Sequence, residues 1–222
     1  MVYVAIMGNG PTELLPDLSE YKDVVDVWIG ADRGALTLAE NKLPLDYAVG
    51  DFDSINDKEK ATVQEYANSY EVHPSEKDQT DLEIALTKAY ELLPEKIYLF
   101  GVTGGRLDHA LINIQLLYSI VDRDIQGVIA DNQNQLELTF PGNYKITQNK
   151  NYPNISFIPY TQYVEGLTLT GFYYPLENQS IKWGSTLCIS NKLLSNYGTF
   201  SYKEGILLII KSRDALSDTI PM

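Results

Sequence analysis

Cysteine is almost absent from this sequence, which argues against two classes of chemistry. Cys188 is the one cysteine among the 222 residues, so no disulfide can form within the chain. It lies between Leu187 and Ile189, without a basic neighbour that would favour a reactive thiolate. We therefore expect Cys188 to be a small buried hydrophobic residue, and we expect neither a disulfide scaffold nor a thiol nucleophile.

Long apolar runs are also missing. No segment approaches the roughly 18 consecutive apolar residues of a membrane-spanning helix, so the sequence predicts no membrane segment. The apolar run over residues 1–7 has no basic region before it, and it predicts a first strand rather than a signal peptide. The cytoplasm is therefore the expected location.

Basic residues are scarce relative to acidic ones. The 17 lysines and arginines stand against 30 aspartates and glutamates, which gives a formal net charge of -13. Proteins that bind nucleic acid through its phosphates present basic patches, so this charge argues against a nucleic-acid partner. A nucleotide substrate remains compatible with the charge, because carboxylates hold metal ions that in turn carry phosphates.

The glycine-rich phosphate loops of common nucleotide enzymes are missing as well. No Gly-Lys-Ser or Gly-Lys-Thr loop occurs anywhere in the chain, which removes the P-loop route to phosphoryl transfer. The segment Gly8-Asn9-Gly10 is too short for a dinucleotide-binding fingerprint. Phosphate binding, if present, must therefore rest on other residues.

The pattern of hydrophobic residues divides the chain into two parts. Up to residue 130, strand-like runs alternate with segments of helical period, and the strand candidates are 2–7, 24–29, 47–49, 70–72, 97–100 and 128–130. Alternation of this kind predicts an α/β domain, residues 1–130, with a mostly parallel sheet and helices on both faces. After it, short strand candidates separated by Pro-Gly and Asn-rich turns predict an antiparallel β-sandwich domain, residues 131–222. These candidates are 136–140, 155–158, 167–170, 186–190, 198–202 and 206–211.

Acidic residues follow the predicted strands of the first part, close to the point where the strands end. The acids concerned are Asp32, Asp51, Asp53, Asp78, Asp81 and Asp108. The carboxyl ends of parallel strands share one edge of a sheet, which is where open α/β folds bind their ligands. We therefore expect these acids to meet there and to hold a hard divalent cation with its phosphates.

Most of these acids also have a simpler local explanation, and Asp108, for example, suits the start of a helix. Asp51 and Asp53 suit an ordinary turn. Thr80 and Glu83 have the spacing of a capping box, and Asp81 would then lie in the first turn of a helix. Asp32 has the position of a cap for a helix that begins near residue 34. Capping does not by itself explain why consecutive strand ends carry acids, which favours the functional interpretation of the whole set.

Several blocks of the sequence together resemble the signature blocks of thiamine pyrophosphokinases. In order, they are Gly30-Ala31-Asp32-Arg33-Gly34-Ala35, Gly50-Asp51-Phe52-Asp53-Ser54, Asp78-Gln79-Thr80-Asp81 and Gly104-Gly105-Arg106-Leu107-Asp108-His109. In the second part, residues 171–176 and 189–191 resemble later blocks of the same family. The resemblance spans nearly the whole chain, and the combination of blocks in this order is specific.

The resemblance implies an ATP- and magnesium-dependent enzyme that pyrophosphorylates thiamine and works as a homodimer. It implies catalytic roles for Asp51, Asp53, Asp81, Arg106 and Asp108. It implies magnesium ligands among Asp51, Asp53, Asp78 and Asp81. It implies contacts with ATP or thiamine from Asp32, Asp78, Thr80, Tyr174, Ser190 and Asn191. Animal members of the family have tryptophan at the position of Tyr174.

Two other functions fit the acidic strand ends. A metal-dependent transferase that uses a sugar nucleotide also employs an Asp-x-Asp pair such as Asp51 and Asp53. A non-catalytic nucleotide sensor of the same fold would bind ATP without releasing AMP. The first is separated from the pyrophosphokinase by its donor nucleotide, and the second by the absence of turnover.

Overall fold

The fold is described from a computed structural model, which covers residues 1–74 and 78–214. The chain forms two compact units, the first being Met1–Asn132 and the second beginning at Gln133. Within the described ranges, no helix has the length and apolar character that crossing a bilayer would require.

A six-stranded parallel sheet forms the centre of the first unit. Its strands are β1 Tyr3–Met7, β2 Val27–Ala31, β3 Tyr47–Gly50, β4 Ser69–Val72, β5 Lys96–Phe100 and β6 Gln126–Ala130. They lie in the order β4-β3-β2-β1-β5-β6, and every neighbouring pair is parallel. The predicted α/β architecture is therefore confirmed.

Helices cover this sheet because its strands are apolar on both sides. The helices are α1 Arg33–Glu40, α2 Asp57–Tyr66, α3 Asp81–Glu91 and α4 Leu107–Val121, and two 3₁₀ helices, Thr12–Leu14 and Leu18–Tyr21, join β1 to β2. Ala5 and Met7 of β1 share a core cluster with Leu38 of α1. Val4 and Ile6 alternate with them and are also fully buried, so the other face of β1 is covered as well. After β4 the chain returns across the sheet to β5, on the other side of β1. Because crossovers between parallel strands are right-handed, the connections before and after this return cover opposite faces of the sheet.

The strand order reverses next to β1, and this reversal creates the position where open α/β sheets bind ligands. In the register of the sheet, Met7 lies beside Gly30 on one side and beside Phe100 on the other, so three strands end at one level. The loops after β1 and β5 are bonded together, with the Gly8 amide donating to the Phe100 carbonyl at 2.8 Å. The carboxyl edge of the sheet therefore brings several loops together.

The second unit contains two antiparallel sheets. Its strands are β7 Asn134–Thr139, β8 Gly142–Thr147, β9 Asn154–Pro159, β10 Tyr163–Thr170, β11 Leu176–Lys182, β12 Tyr197–Tyr202 and β13 Leu207–Ser212. β7-β13-β9 form one sheet and β11-β10-β12-β8 the other. Phe157 and Leu207 of the first sheet share a buried cluster with Leu169 and Phe200 of the second. The predicted β-sandwich is therefore confirmed.

The strand predicted at residues 186–190 is wrong. This segment forms turns, and Ser190 adopts a φ of 55°, which a strand does not tolerate. Cys188 within it is buried as predicted, and burial raises the pKa of its thiol to about 11. The sequence also failed to indicate β11, because four consecutive residues of that strand are exposed and show no apolar alternation.

Candidate active site

Three carboxylates meet at the carboxyl edge of the parallel sheet. Asp32 follows β2, while Asp51 and Asp53 follow β3, the neighbouring strand. Each offers an oxygen atom, and these oxygens all lie within 4.8 Å of one another. Three of the six acids singled out in the sequence therefore form one cluster, here called the acidic cluster. Such a set of oxygen donors suits a hard divalent cation.

The backbone of the acidic cluster is held in unusual conformations. The Asp32 amide donates to the Val49 carbonyl at 2.8 Å, although Asp32 has a φ of 51°. A Cβ atom at Gly50 would lie 3.1 Å from the Asp32 Cα, so the close approach of the two loops favours glycine at this position. Gly50 also has a φ of 148°, which glycine adopts more readily than other residues do. Non-glycine residues with positive φ are uncommon and concentrate at functional sites, which supports a functional role for this turn.

A buried aromatic ring anchors the turn that carries the other two acids. Phe52, which stands between Asp51 and Asp53 in the sequence, has a φ of 56° and is completely buried. Its ring stacks on the ring of Tyr70, with 4.5 Å between the centroids. The Asp53 amide donates to Asp51 Oδ1 at 3.0 Å, so the local turn expected from the sequence is also present. The packing of Phe52 therefore fixes the two acids next to Asp32.

The electrostatics of the acidic cluster favour a positive partner. Asp32 is only 8% exposed, its Oδ2 accepts a hydrogen bond from Ser54 Oγ at 2.5 Å, and its Oδ1 is buried without a partner among the described residues. The nearby charge of Asp51 raises the pKa of Asp53, and hydrogen bonding to Asp51, burial and the charges of Asp32 and Asp81 raise it further. A bound cation would relieve this repulsion and would complete the coordination of the buried oxygen.

Among the described residues, the acids after β4 are not part of the acidic cluster. Asp81 is the first residue of α3, and its charge contributes to the raised pKa of Asp53. Asp78 is exposed. Thr80 and Glu83 form the capping box of α3, with the Thr80 amide donating to Glu83 Oε2 at 2.9 Å. The role of Asp78 and Asp81 as magnesium ligands stays a prediction.

Of the two helix-capping explanations offered by the sequence, the structure confirms one and contradicts the other. The capping explanation of Thr80 is correct, because both hydrogen bonds of the box are present. The capping explanation of Asp32 is wrong for its side chain, which makes no capping bond to α1 and instead accepts the bond from Ser54. No role was predicted for Ser54 from the sequence, although its position in the block 50–54, next to Asp53, could have indicated one.

Arg106 and Asp108 form an exposed ion pair at the start of α4. Arg106 Nη2 lies 2.5 Å from Asp108 Oδ2, and the two side chains are 71% and 64% exposed. The hydrogen bond from Arg106 lowers the pKa of Asp108, and the same bond raises the pKa of Arg106. The pair leaves much of the guanidinium open to an incoming phosphate, for which arginine has a matching planar geometry.

The predicted residues of the second unit surround a buried carboxamide. Asn191 is 2% exposed, and its Oδ1 accepts hydrogen bonds from the Tyr174 amide at 3.0 Å and the Lys192 amide at 2.9 Å. Its Nδ2 donates to the Tyr174 carbonyl at 2.8 Å. The side chain of Asn191 therefore fixes the backbone of Tyr174. The Ser190 amide donates to Ser156 Oγ at 3.0 Å, which fixes the neighbouring turn.

The Tyr174 ring lies on the surface of the second unit. Tyr174 is 60% exposed and Tyr173 is 63% exposed, and the two rings meet edge to face at 4.8 Å between centroids. Exposed aromatic rings of this kind offer a binding surface for a flat or cationic ligand.

Two family models match this chain. The thiamin pyrophosphokinase catalytic domain matches residues 18–129, and the thiamin pyrophosphokinase vitamin B1 binding domain matches residues 143–207. The first range contains the acidic cluster and the Arg106–Asp108 pair. The second contains Tyr174, Ser190 and Asn191.

Characterised relatives agree with these matches. The chain is 47% identical over 214 residues to the thiamine pyrophosphokinase of Bacillus subtilis (strain 168), covering 96% of this chain and 100% of the relative. The crystal structure of the Bacillus subtilis enzyme superposes with a TM-score of 0.90 at 46% identity, covering 96% of this chain and 100% of that chain. That of thiamin pyrophosphokinase from Geobacillus thermodenitrificans gives 0.86 at 46% identity, covering 97% and 99%.

Proposed function

Because this chain belongs to the thiamin pyrophosphokinase family, we propose that it transfers diphosphate from ATP to the hydroxyl group of thiamine, releasing AMP. Family membership rests on both domain matches and on a relative of 47% identity that the chain covers completely. The observation in the structure that carries the proposal is the acidic cluster, in which one buried oxygen of Asp32 has no partner among the described residues.

In this reaction the thiamine hydroxyl oxygen forms a bond to the β-phosphorus of ATP. The bond between that phosphorus and the oxygen bridging to the α-phosphate breaks, and AMP leaves with the electron pair. The hydroxyl proton passes to a base or to solvent. The protein therefore has little covalent chemistry to perform, and positioning and charge stabilisation supply most of the rate.

The acidic cluster fits magnesium as the cation that accompanies ATP. Asp32, Asp51 and Asp53 would provide carboxylate oxygens, and Asp78 and Asp81 after β4 are the further candidates. Magnesium usually keeps waters and phosphate oxygens beside one or two carboxylates, so not all five need to bind directly. When bound, the ion supplies Lewis-acid stabilisation of the phosphate charge. Through such an ion, these carboxylates would hold the phosphates of ATP at the strand ends.

Arg106 and Asp108 would act on the phosphates beside this edge. The exposed guanidinium of Arg106 is held at 2.5 Å by Asp108 and would donate to phosphate oxygens. Asp108 would keep Arg106 oriented while the phosphate charge shifts. Arg106 would therefore contribute more to the transition state than to ATP binding.

The second unit would supply contacts to thiamine. Tyr174 presents an exposed ring suited to the cationic thiazolium, and Ser190 and Asn191 lie on the turn that supports it. The match of this region to a vitamin B1 binding domain supports that assignment.

We further propose a cytoplasmic homodimer. An apolar stripe on α4 supports self-association, because Leu107, Leu111 and Tyr118 share one side of the helix and are 71%, 53% and 44% exposed. The cytoplasmic assignment is supported by the use of ATP and by a chain that can form no internal disulfide.

The proposal is tested by incubating the protein with thiamine, ATP and magnesium and analysing the products by mass spectrometry. We expect thiamine diphosphate and AMP in equal amounts. Turnover of a sugar nucleotide in place of ATP would support the rival transferase, and ATP binding without AMP would support the sensor. Either result would overturn the proposed function.

A further inference from the structure

A buried acid at the end of β6 holds the loop that follows β5. Asp131 follows directly after β6 and is only 7% exposed. Its Oδ2 accepts a hydrogen bond from Thr103 Oγ1 at 2.9 Å. Thr103 lies in the loop 101–105, between β5 and α4, which we call the arginine loop because Arg106 follows it.

Two other contacts fix the same loop from different sides. Asn113 on α4 donates from its Nδ2 to the Val102 carbonyl at 2.8 Å. The Gly10 amide, in the loop after β1, donates to the Gly101 carbonyl at 2.6 Å. Thr103 is therefore the point at which the arginine loop is attached to β6, while its earlier residues are attached to α4 and β1.

The residue after Asp131 supports the surface against which the arginine loop packs. The Asn132 amide donates to the Leu14 carbonyl at 2.7 Å, and Asn132 Nδ2 donates to the Glu13 carbonyl at 2.8 Å. A Cβ atom at Gly104 would overlap the Leu14 side chain, so the loop backbone packs directly on Leu14. Asp131 and Asn132 together therefore hold the loop and its support.

These attachments end just before Arg106. A Cβ atom at Gly105 would meet nothing within 4 Å, and the Arg106 side chain is 71% exposed. Its ion pair with Asp108 fixes the guanidinium relative to α4 alone. The direction in which the chain enters α4 is set by the preceding loop.

We propose that Asp131, acting through the Thr103 hydroxyl, is a positioning residue that sets the arginine loop and thereby aligns Arg106 with the transferring phosphate. This inference rests on the proposed function. A shift of about 1 Å in a positioning contact is enough to lower the rate up to about 100-fold, so a single buried hydrogen bond is sufficient to matter for kcat.

Thr103 is the better residue to change, because Asp131 takes part in a further interaction beside the bond from Thr103. Thr103→Val keeps the shape of the side chain but removes the O–H donor, which leaves an oxygen of a buried carboxylate without this partner. Thr103→Ser keeps the donor. Thr62→Val is the matched control, because the exposed Thr62 hydroxyl donates to the Lys58 carbonyl of its own helix.

The experiment measures kcat and the KM for thiamine by AMP release in wild type and the three variants, with melting temperatures recorded in parallel. We expect Thr103→Val to lower kcat about 10-fold with an unchanged KM for thiamine, and Thr103→Ser and Thr62→Val to stay within about twofold of wild type. If Thr103→Val does not fold, Asp131→Asn, which keeps a carbonyl acceptor, must retain more activity than Asp131→Ala.

The outcomes separate this proposal from the proposed function. A wild-type protein that releases no AMP in the presence of thiamine would contradict the function itself. With an active wild type, an undiminished kcat in Thr103→Val, an equal loss in Thr103→Ser, or a loss confined to the KM for thiamine would overturn the positioning role. Equal activity of Asp131→Asn and Asp131→Ala would overturn it in the second comparison.

Discussion

At the scale of single residues, the acidic cluster combines a stable backbone with unfavourable charge. The turn 50–54 is anchored by the buried ring of Phe52, whereas Asp53 beside it is exposed and has a raised pKa. A raised pKa means that the folded protein resists the charged form of Asp53 more strongly than the unfolded chain does. The charge of Asp53 therefore lowers the stability of the free protein, and a bound cation would offset this effect.

The substitution Asp53→Asn should raise the melting temperature of the metal-free protein at pH 7 and abolish AMP release. The gain should shrink as the pH falls through the raised pKa of Asp53 in the folded protein. It should vanish only below the ordinary, lower pKa of the unfolded chain, where Asp53 is protonated in both states. Thermal unfolding in a chelator across the acidic range measures the first effect. Asp23→Asn, an exposed acid outside the cluster, is the control. A lower melting temperature in Asp53→Asn would contradict the repulsion, and full activity with saturating magnesium would contradict the role of Asp53.

Asn191 shows how a buried polar group acts through a neighbour. Its carboxamide is bonded to both backbone polar groups of Tyr174, so its removal frees a residue that presents an exposed ring. Hydrogen bonds of this kind each contribute about 1 kcal/mol, and more where a buried partner is left unsatisfied.

The substitution Asn191→Ala should therefore raise the KM for thiamine by about 5- to 30-fold, which corresponds to about 1–2 kcal/mol, with a much smaller change for ATP. Steady-state kinetics with each substrate varied in turn provides the measurement. Asn143→Ala, at an exposed position of β8, controls for general effects on the second unit. An unchanged KM for thiamine would place thiamine away from Tyr174.

At the scale of elements, α1 depends on the absence of a side chain near its start. A Cβ atom at Gly34 would overlap the carbonyl oxygen of Met7, so the first turn of α1 packs directly against the end of β1. This contact places Asp32 immediately before the helix, beside the acids after β3. The position of the acidic cluster thus follows from close packing of a helix on a strand.

The substitution Gly34→Ala should destabilise the protein by about 2–3 kcal/mol, because overpacking of a buried backbone contact forces strand and helix apart. Gly105→Ala is the comparison, since position 105 has open space and a φ of 64°, so it carries only conformational strain of about 1 kcal/mol. Chemical denaturation measures both. Equal stability losses in the two variants would show that α1 tolerates the extra methyl group.

At the scale of the whole molecule, the exposed apolar stripe of α4 and the net charge of -13 act in opposite directions on association. Apolar surface favours a partner, whereas like net charges repel and are screened by salt.

The protein should behave as a homodimer, with a mass of twice 25.0 kDa in light scattering. Lower ionic strength should weaken the dimer, because the repulsion between two acidic subunits is then less screened. Measurement over a range of protein and salt concentrations provides the test. A mass of one chain throughout that range would contradict the dimer.

Much of the fold was predictable because its signals are local. The period of apolar residues indicated the parallel strands of the first unit, its helices α3 and α4, and the strand-rich second unit. The segment 186–190 was misjudged, because apolar composition does not reveal a turn in which Ser190 has positive φ. The strand β11 was missed because its exposed face carries polar residues.

The sequence by itself determined that acids stand at the ends of strands, since a strand end is marked by the end of an apolar run. Only the tertiary structure decided which of these acids meet. Asp32 joins Asp51 and Asp53 because β2 and β3 are neighbours, and strand order is a long-range property. The bond from Thr103 to Asp131 depends in the same way on β5 lying beside β6. Such partners are distant in sequence, and packing of the whole sheet brings them within hydrogen-bonding distance.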